Sequence, residues 1–265
     1  MPRMTLTGLY RYPVKSLRGA AFDALDVGRR GPLHDREWMV VDAKGRFLTQ
    51  RQEPRMALIG TGLDDDGRLT LDAPGTASIE VGDDRDETVE VSIWRDTVQA
   101  NPVDAAADDW LSAFLGRRCR LVRFPTGQVR PVDPAYATPG DEVGFADGFP
   151  FLLISQASLD TLNGRLETPI PMRRFRPNLV IDGCDPHAED GWRRLRIGEL
   201  SFSVAKSCTR CIIPTIDPAT AQKGREPLRT LLTYRKKDNQ IHFGQNLVHD
   251  RPGRLALGMS VEVLA

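Results

Sequence analysis

Two of the four cysteines in this 265-residue sequence lie in the segment KSCTRCIIPTIDP, residues 206–218, with the spacing C-x-x-C. Cysteines with this spacing bind zinc, form redox-active disulfides or attach haem. A single thiolate can instead work alone, as a nucleophile or as the ligand of a soft metal. Each kind of site requires further residues around Cys208 and Cys211. The presence or absence of those residues distinguishes one kind of site from another.

The zinc, dithiol and haem sites each lack something that they require. A structural zinc site takes four Cys or His ligands, usually as two pairs, whereas the histidines here are scattered singly. A thioredoxin-like dithiol opens a helix, but Pro214 and Pro218 oppose a helix after this pair. A c-type haem site has His directly after the second cysteine, where this chain has Ile212. Two interpretations remain, a pair of buried structural cysteines and a single working thiolate.

The arginine beside Cys211 favours the working thiolate. A neighbouring cation such as Arg210 stabilises the ionised form of a thiol. Other basic residues stand at strand ends, in YPVKS (12–16) and in FRPN (175–178). Guanidinium groups bind phosphate through paired hydrogen bonds, and thiolates bind soft metals. Together these residue types indicate a metal cofactor that carries a phosphate.

The elements that must position these residues are mostly strands. Alternation of apolar and polar residues predicts strands in the first half at LTGLYRYPV, REWMVVDAKGRFLTQ, RLTLDA, TASIEV and TVEVSIW. Turn formers separate these runs, which indicates an antiparallel sheet closing toward a barrel. A helix is predicted near residues 107–116, and Gly116 ends it.

The second half begins with a long connection, residues 126–150, rich in Pro, Gly and Asp; such a connection is usually functional or interdomain. The run FLLISQASLDTLNGRL predicts a strand followed by a helix, with Ser155 or Ser158 as its N-cap. Further strands are predicted at NLVIDG, LSFSVA, HFGQNLVH and SVEVL, and a short helix that begins at a proline at PLRTLLTYRK. The pattern therefore predicts a mainly β, α+β chain in two parts.

Composition narrows the possible functions. Thirty-six Lys and Arg balance thirty-six Asp and Glu, so no net basic charge favours nucleic acid or an anionic membrane. The sequence has no apolar run of signal-peptide or transmembrane length, and we expect a cytoplasmic protein. Cys119 and Cys184 lie far from each other and from the pair, which does not indicate a disulfide framework.

The sequence also resembles a known family. The stretches that carry the resemblance are YPVKS, HDREWMVVD, FLTQRQEPRMALI, FLLISQASLDTLN, FRPNLVIDG, CTRCIIPTIDP, EPLRTLLTYR and FGQN. In order and spacing they resemble the MOSC family, in particular the two-domain group of mitochondrial amidoxime-reducing components and their bacterial relatives. The resemblance implies a β-barrel-like N-terminal MOSC domain over residues 1–122. It implies a β-barrel MOSC domain with a few short helices over residues 123–265.

The resemblance implies a molybdenum cofactor, Mo-molybdopterin, held between the domains. Cys211 is then the catalytic residue and protein ligand of molybdenum, and Cys208 is a bystander. The other cofactor-binding residues implied are Lys15, Ser16, Arg36, Arg176, Asn178, Ser207, Arg210 and Asn246. The mitochondrial relatives have hydroxyl residues where this chain has Gly148 and Phe149, so a phosphate contact there would come from backbone amides.

The implied activity is that of a molybdenum-dependent oxidoreductase. It removes the oxygen from small N-hydroxylated substrates, namely amidoximes, hydroxylamines and N-hydroxylated bases. Because no flavin, haem or iron–sulfur motif is visible, electrons would come from a separate ferredoxin-like protein or flavin reductase. Asp217 could deliver protons or could simply stabilise a turn.

Two alternatives remain open. MOSC domains also occur in molybdenum cofactor sulfurases, so Cys211 could carry a persulfide as a sulfur-carrier module. The pyridoxal-phosphate-dependent half of a complete sulfurase is not in this sequence, and the implied reductase is independent of pyridoxal phosphate. The chain could also be a molybdenum-cofactor-binding or storage module without turnover of its own.

Overall fold

The structure, a computed structural model, describes residues 3–64 and 66–265 as a mainly β chain with a few short helices. The strands are β1 (Thr5–Arg11), β2 (Ala20–Ala21), β3 (Ala24–Gly28), β4 (Gly31–Pro32), β5 (Trp38–Asp42), β6 (Gly60–Leu63), β7 (Leu69–Asp72), β8 (Ile79–Glu80), β9 (Val89–Ile93), β10 (Asp96–Pro102), β11 (Cys119–Arg123), β12 (Phe151–Ser155), β13 (Leu179–Asp182), β14 (Arg194–Ile197), β15 (Leu200–Thr209), β16 (Lys236–Lys237), β17 (Gln240–His249), β18 (Gly253–Ala256) and β19 (Val261–Val263). The α-helices are α1 (Ala105–Leu115), α2 (Gln156–Asn163) and α3 (Leu228–Tyr234). The predicted mainly β, α+β class is confirmed.

The largest sheet joins the start of the chain to its second half. Its strand order is β19-β14-β15-β17-β12-β13-β1-β2, with β16 paired to β17. Strand β1 runs antiparallel to β13, with Leu6 opposite Ile181 and Leu9 opposite Leu179. Leu6 and Leu9 are buried in one apolar cluster with Phe151 of β12. The first predicted strand therefore belongs to this sheet and not to a sheet of first-half strands, because its apolar face completes the second-half core.

Three smaller sheets contain the remaining strands. Their orders are β5-β11-β10-β9, β6-β7-β8 and β18-β3-β4. Helix α1 packs on the first two sheets through Leu111, which shares a buried cluster with Val40, Leu71 and Leu121. The helix ends at Gly116, whose φ of 68° is the left-handed conformation that glycine adopts at low cost. The predicted helix is confirmed, with its start two residues earlier than expected.

Strand β12 and helix α2 form the strand–helix unit predicted at FLLISQASLDTLN. The Ser155 hydroxyl accepts a hydrogen bond from the amide of Ser158, so Ser155 is the N-cap. Leu159 and Leu162 on one face of α2 are buried against Phe243 of β17. None of the helices that the structure describes is long and apolar enough to cross a membrane.

The connection from residue 126 to residue 150 contains no named strand or helix, as predicted. Arg130 anchors it: its guanidinium donates to Asp96 (2.7 Å) and to the carbonyls of Gly144 (3.0 Å) and Ala146 (2.6 Å). The connection is thereby held against β10 and delivers residues 146–149 to the cavity described below. The domain boundary after residue 122 stays a prediction.

Candidate functional site

One cavity, with a volume of about 610 Å³, gathers every residue that the sequence analysis singled out for cofactor binding. They are Lys15, Ser16, Arg36, Arg176, Asn178, Ser207, Arg210, Cys211 and Asn246. These residues come from the loop after β1, the loop before β5, the entry to β13, the end of β15 and the middle of β17. The structure thus brings together residues that are distant in sequence, and their individual roles stay predictions.

Lys15 is a buried cation at the cavity wall. Its side chain is 5% exposed, and its Nζ donates to the carbonyl of Phe145 (2.8 Å) and pairs with the carboxylate of Asp147. The backbone amide of Lys15 donates to the carbonyl of Trp38 (2.8 Å), which ties the loop to β5. Burial lowers the pKa of Lys15, and the Asp147 charge opposes that effect. A buried ammonium of this kind needs an anionic partner.

Three of the predicted residues have left-handed backbone conformations. The φ angles of Ser16, Arg36 and Arg176 are 66°, 49° and 57°. A residue other than glycine held there costs on the order of 1–3 kcal/mol and persists only where its surroundings impose it. Here the carbonyl of Ser16 accepts from Gln50 Nε2 (2.7 Å), and the amide of Arg36 donates to the carbonyl of Tyr12 (2.8 Å). Such strain often collects at functional sites, and these three residues share one cavity.

Tyr12 supports two of the arginines. The guanidinium carbons of Arg36 and Arg176 lie 4.4 and 4.2 Å from the centre of its ring, within the range of cation–π contacts. The Tyr12 hydroxyl donates to the carbonyl of Pro177 (3.0 Å), and Asp35 pairs with Arg36. Burial, and then the nearby Arg36 charge, lower the pKa of Arg176 to about 10, so Arg176 remains charged at neutral pH.

Asn178 links the side chain of Arg36 to strands β1 and β12. Its Oδ1 accepts from Arg36 Nη1 (3.1 Å) and from the amide of Leu152 (3.2 Å), and its Nδ2 donates to the carbonyl of Tyr10 (3.2 Å). The side chain is buried with both ends of its amide already bonded within the protein. The structure therefore supports a positioning role for Asn178 at the cavity wall.

The two cysteines have different surroundings. Both thiols are free and both line the cavity. Cys208 lies inside β15 and packs against the apolar cluster around Phe243, where burial raises the pKa of its thiol. Cys211 lies beyond the end of β15, just before a single 3₁₀ turn at Ile213–Thr215, outside that apolar cluster, although both cysteines are partly exposed. This difference agrees with Cys208 as the inert thiol of the pair.

Three arginines of the cavity lining have a buried donor without a hydrogen-bond partner among the described residues. Arg210 donates from Nε to the carbonyl of Phe243 (2.8 Å) and from Nη1 to that of Phe175 (3.1 Å). Its Nη2, like Nε of Arg174 and Nη2 of Arg176, is buried without a partner among the residues that the structure describes. An unsatisfied buried donor costs about 1–3 kcal/mol. A multi-oxygen anion such as a phosphate would satisfy such donors, so the cavity fits a phosphate-bearing ligand.

Arg174 is a lining residue that the sequence analysis missed. Its Nη2 donates to Asp217 Oδ2 (2.8 Å), and Asp217 Oδ1 accepts from the amide of Ala219 (2.7 Å). Asp217 is not among the residues that line the cavity. These contacts favour the structural interpretation of Asp217. The run RRFRPN contained the signal for Arg174, since an arginine two residues from Arg176 can reach the same ligand.

Arg51, Trp94 and Asp147 also line the cavity and were missed. The Trp94 indole donates to Asp147 Oδ1 (3.1 Å), and the Arg51 guanidinium lies 4.6 Å from the Trp94 ring. Arg51 stands in FLTQRQ, a stretch that the resemblance includes. Trp94 and Asp147 are 53 residues apart, and no local pattern links them.

Comparison with known proteins identifies the class. The family models for the MOSC N-terminal beta barrel domain and the MOSC domain match residues 3–118 and 140–262. These matches cover most of the chain, and the chain belongs to the MOSC family. The resemblance described from the sequence is thereby confirmed.

Two kinds of relative are similar over most of this chain. Mitochondrial amidoxime-reducing component 1 from Homo sapiens is 36% identical, over 98% of this chain and 83% of that protein. Mitochondrial amidoxime reducing component 2 from Rattus norvegicus is 33% identical, over 96% of this chain and 81% of that protein. Molybdenum cofactor sulfurase from Oryza sativa subsp. japonica is 34% identical, over 90% of this chain but 32% of that longer protein.

Proposed function

We propose that this protein is a molybdenum-cofactor-dependent reductase that removes the oxygen from N-hydroxylated compounds. The observation that carries the proposal is the cavity itself, whose lining contains both Cys211 and three arginines with buried donors unpaired among the described residues. Similarity to the amidoxime-reducing components over nearly the whole chain, at 33–36% identity, supports the choice of reaction.

The cavity lining offers groups that suit both the phosphate and the molybdenum of such a cofactor. The unpaired donors of Arg174, Arg176 and Arg210, together with Lys15, would bind its phosphate. The thiolate of Cys211 would hold molybdenum, because thiolates are the protein's soft ligands. When bound, the cofactor supplies the two-electron chemistry that the reaction requires.

The reaction also requires a binding surface for the substrate and a source of electrons. An N-hydroxylated compound takes up two electrons and two protons and yields the amine or amidine and one water. Trp94 and Leu232, which are 46% and 50% exposed, line the cavity with apolar surface that suits the aromatic body of a substrate such as benzamidoxime. The electrons come from a separate donor protein, ferredoxin-like or a flavin reductase, and the protein acts in the cytoplasm.

Metal analysis and turnover test the proposal together. Expressed in a host that synthesises the cofactor, the protein should contain about one molybdenum per chain, since Cys211 provides one protein thiolate. It should reduce benzamidoxime with a chemical electron donor such as reduced viologen. Molybdenum without turnover would instead support a cofactor-binding module, and stoichiometric zinc without molybdenum would contradict the site.

The first prediction separates the two cysteines. Cys211→Ala should lose benzamidoxime reduction and bound molybdenum, because it removes the thiolate that holds the metal. Cys208→Ala serves as the matched control and should keep most of both, because Cys208 packs against the apolar cluster around Phe243. An equal loss in the two variants is the result that contradicts a single-ligand site.

Similarity to the sulfurase favours one second candidate, a sulfur carrier. In that case Cys211 would hold a persulfide, and its partial exposure in the cavity would allow transfer. Mass spectrometry of the protein before and after treatment with a reductant distinguishes this function. One additional sulfur atom on the peptide that contains Cys211, without amidoxime reduction, would favour the carrier.

A further inference from the structure

Lys15 has a counter-ion from its own chain, the carboxylate of Asp147. Both groups line the cavity, and they pair directly. Asp147 Oδ1 is held from a second side by the Trp94 indole, whose Nε1 donates to it (3.1 Å). Trp94 has a left-handed backbone conformation (φ 57°) that points to a fixed local arrangement. The carboxylate thus occupies the position beside Lys15 where a ligand anion would bind.

Lys15 and Asp147 differ in how strongly each depends on this ion pair. The side chain of Lys15 is 5% exposed, whereas that of Asp147 is 65% exposed. A buried ammonium without a partner is strongly destabilising, but an exposed carboxylate is well solvated when it is released. Lys15 therefore needs an anion, while Asp147 can leave. Gly148 follows Asp147, and a Cβ added there would meet nothing within 4 Å, so the chain has room to move.

Asp147 differs in charge from the other ionised residues that line the cavity. Among the lining residues that the structure describes, the cations are Lys15, Arg36, Arg51, Arg174, Arg176, Lys206 and Arg210. Asp147 is the single carboxylate in that lining. The carboxylates of Asp35 and Asp217 pair with Arg36 and Arg174 and do not line the cavity. An anion that enters is attracted by every charge in the wall except that of Asp147.

We propose that Asp147 is a resident counter-ion of Lys15, and that a phosphate-type oxyanion entering the cavity replaces it. The exchange releases the carboxylate to solvent and removes the acceptor of the Trp94 indole. Lys15 keeps an anionic partner throughout. The proposal rests on the proposed function only for the source of the oxyanion, which there is the phosphate of the cofactor.

The exchange predicts that Asp147 weakens anion binding. The probe is inorganic phosphate, titrated by calorimetry into full-length protein from a host that lacks cofactor synthesis, at physiological ionic strength. Asp147→Asn keeps the size and an acceptor oxygen but removes the charge. We expect its phosphate dissociation constant to be about three- to tenfold lower than that of the unaltered protein.

The chain offers a matched control in a second, mostly buried cation that pairs with an exposed aspartate. Arg235 is 14% exposed at its side chain and pairs with Asp190, which is 36% exposed, at 2.6 Å. Neither residue lines the cavity. Asp190→Asn should therefore leave phosphate binding unchanged, which separates a local exchange from the general loss of one negative charge.

Two further variants make the test specific. Lys15→Met should weaken phosphate binding, and in that background Asp147→Asn should no longer strengthen it, because the partner of the carboxylate is gone. Phosphate should change the tryptophan fluorescence of the unaltered protein, and Trp94→Phe should remove that change. Unchanged or weaker phosphate binding by Asp147→Asn, with the variant folded by circular dichroism, would overturn the proposal.

The same titration on protein that contains the cofactor identifies the source of the oxyanion. If loaded protein no longer binds inorganic phosphate, the cofactor's phosphate occupies the position beside Lys15. If loaded protein still binds it and still responds to Asp147→Asn, the exchanged oxyanion is a free one. Phosphate binding by the cofactor-free protein does not depend on molybdenum or on turnover, so failure here and failure of the proposed function are separate results.

Discussion

At the scale of single residues, the guanidinium of Arg210 shows how the cavity is prepared for an anion. Two of its nitrogens donate hydrogen bonds to the carbonyls of Phe243 and Phe175, and these bonds fix the plane of the guanidinium. The third nitrogen is buried and unpaired among the described residues. Because the orientation is set before any ligand binds, little entropy is lost when an oxyanion meets that nitrogen.

Arg210→Lys tests this arrangement. A lysine keeps the charge but cannot bond both carbonyls and a ligand in one fixed plane. We expect phosphate to bind about tenfold more weakly to the cofactor-free variant, as measured by calorimetry. Arg196→Lys is the control, since Arg196 is 48% exposed and pairs with Glu262 on the strand β19. Equal binding by both variants would show that only the charge at Arg210 matters.

At the scale of elements, the strand–helix unit of β12 and α2 is held by a buried polar group. The Ser155 hydroxyl caps α2 and lies 3.0 Å from Glu189 Oε2, and the Ser158 hydroxyl donates to Glu189 Oε1 (2.8 Å). All three side chains are buried. The buried carboxylate of Glu189 thus has as hydrogen-bond partners the same two serines that lie at the start of the helix.

Ser155→Ala should destabilise the protein by about 1–3 kcal/mol, because it removes the cap and one partner of a buried carboxylate. Chemical denaturation measures this loss as a lower free energy of unfolding. Thr161→Ala, a change at a partly exposed position of the same helix, should cost much less. A loss of similar size in both variants would contradict a special role for the Ser155–Glu189 contact.

The elements also show where sequence patterns stop being informative. Alternation identified β1 and β13 as strands, but it specifies only which side chains face inward, and so it could not show that β1 pairs with β13. The residues 12–16 and 175–178 were found because basic side chains stand at strand ends. Asp147 was not found, because its partners Lys15 and Trp94 are distant in sequence and join it only after folding.

At the scale of the whole molecule, a histidine links the largest sheet to the sheet β18-β3-β4. His249 of β17 is buried, and its Nε2 lies 2.6 Å from the carbonyl of Gly28 at the end of β3. Burial lowers the pKa of His249 from its ordinary value of 6.5, and the contact with Gly28 opposes that effect. The folded chain therefore resists protonation at this residue more than the unfolded chain does.

The sign of the pH effect follows from that difference. Well above pH 6.5 His249 is neutral in both states and contributes no pH dependence. As the pH falls below 6.5 the unfolded chain takes up a proton first, so the free energy of unfolding should decrease. Denaturation at several pH values should show this slope, and His249→Gln, which keeps a donor for Gly28, should reduce it. A slope unchanged in that variant would assign the effect to other groups.

The pairing of β1 with β13 has a consequence for the time at which the binding cavity first exists. The contact between Thr7 and the carbonyl of Val180 joins residues separated by 173 positions. At translation rates of about 5–20 residues per second, the first strand waits roughly ten to thirty seconds on the ribosome before its partner is made. Lys15 and Ser16 follow that strand directly, so they cannot meet the residues after β15 until those residues have been synthesised. The cavity therefore cannot bind its ligand before both of these distant segments have been made.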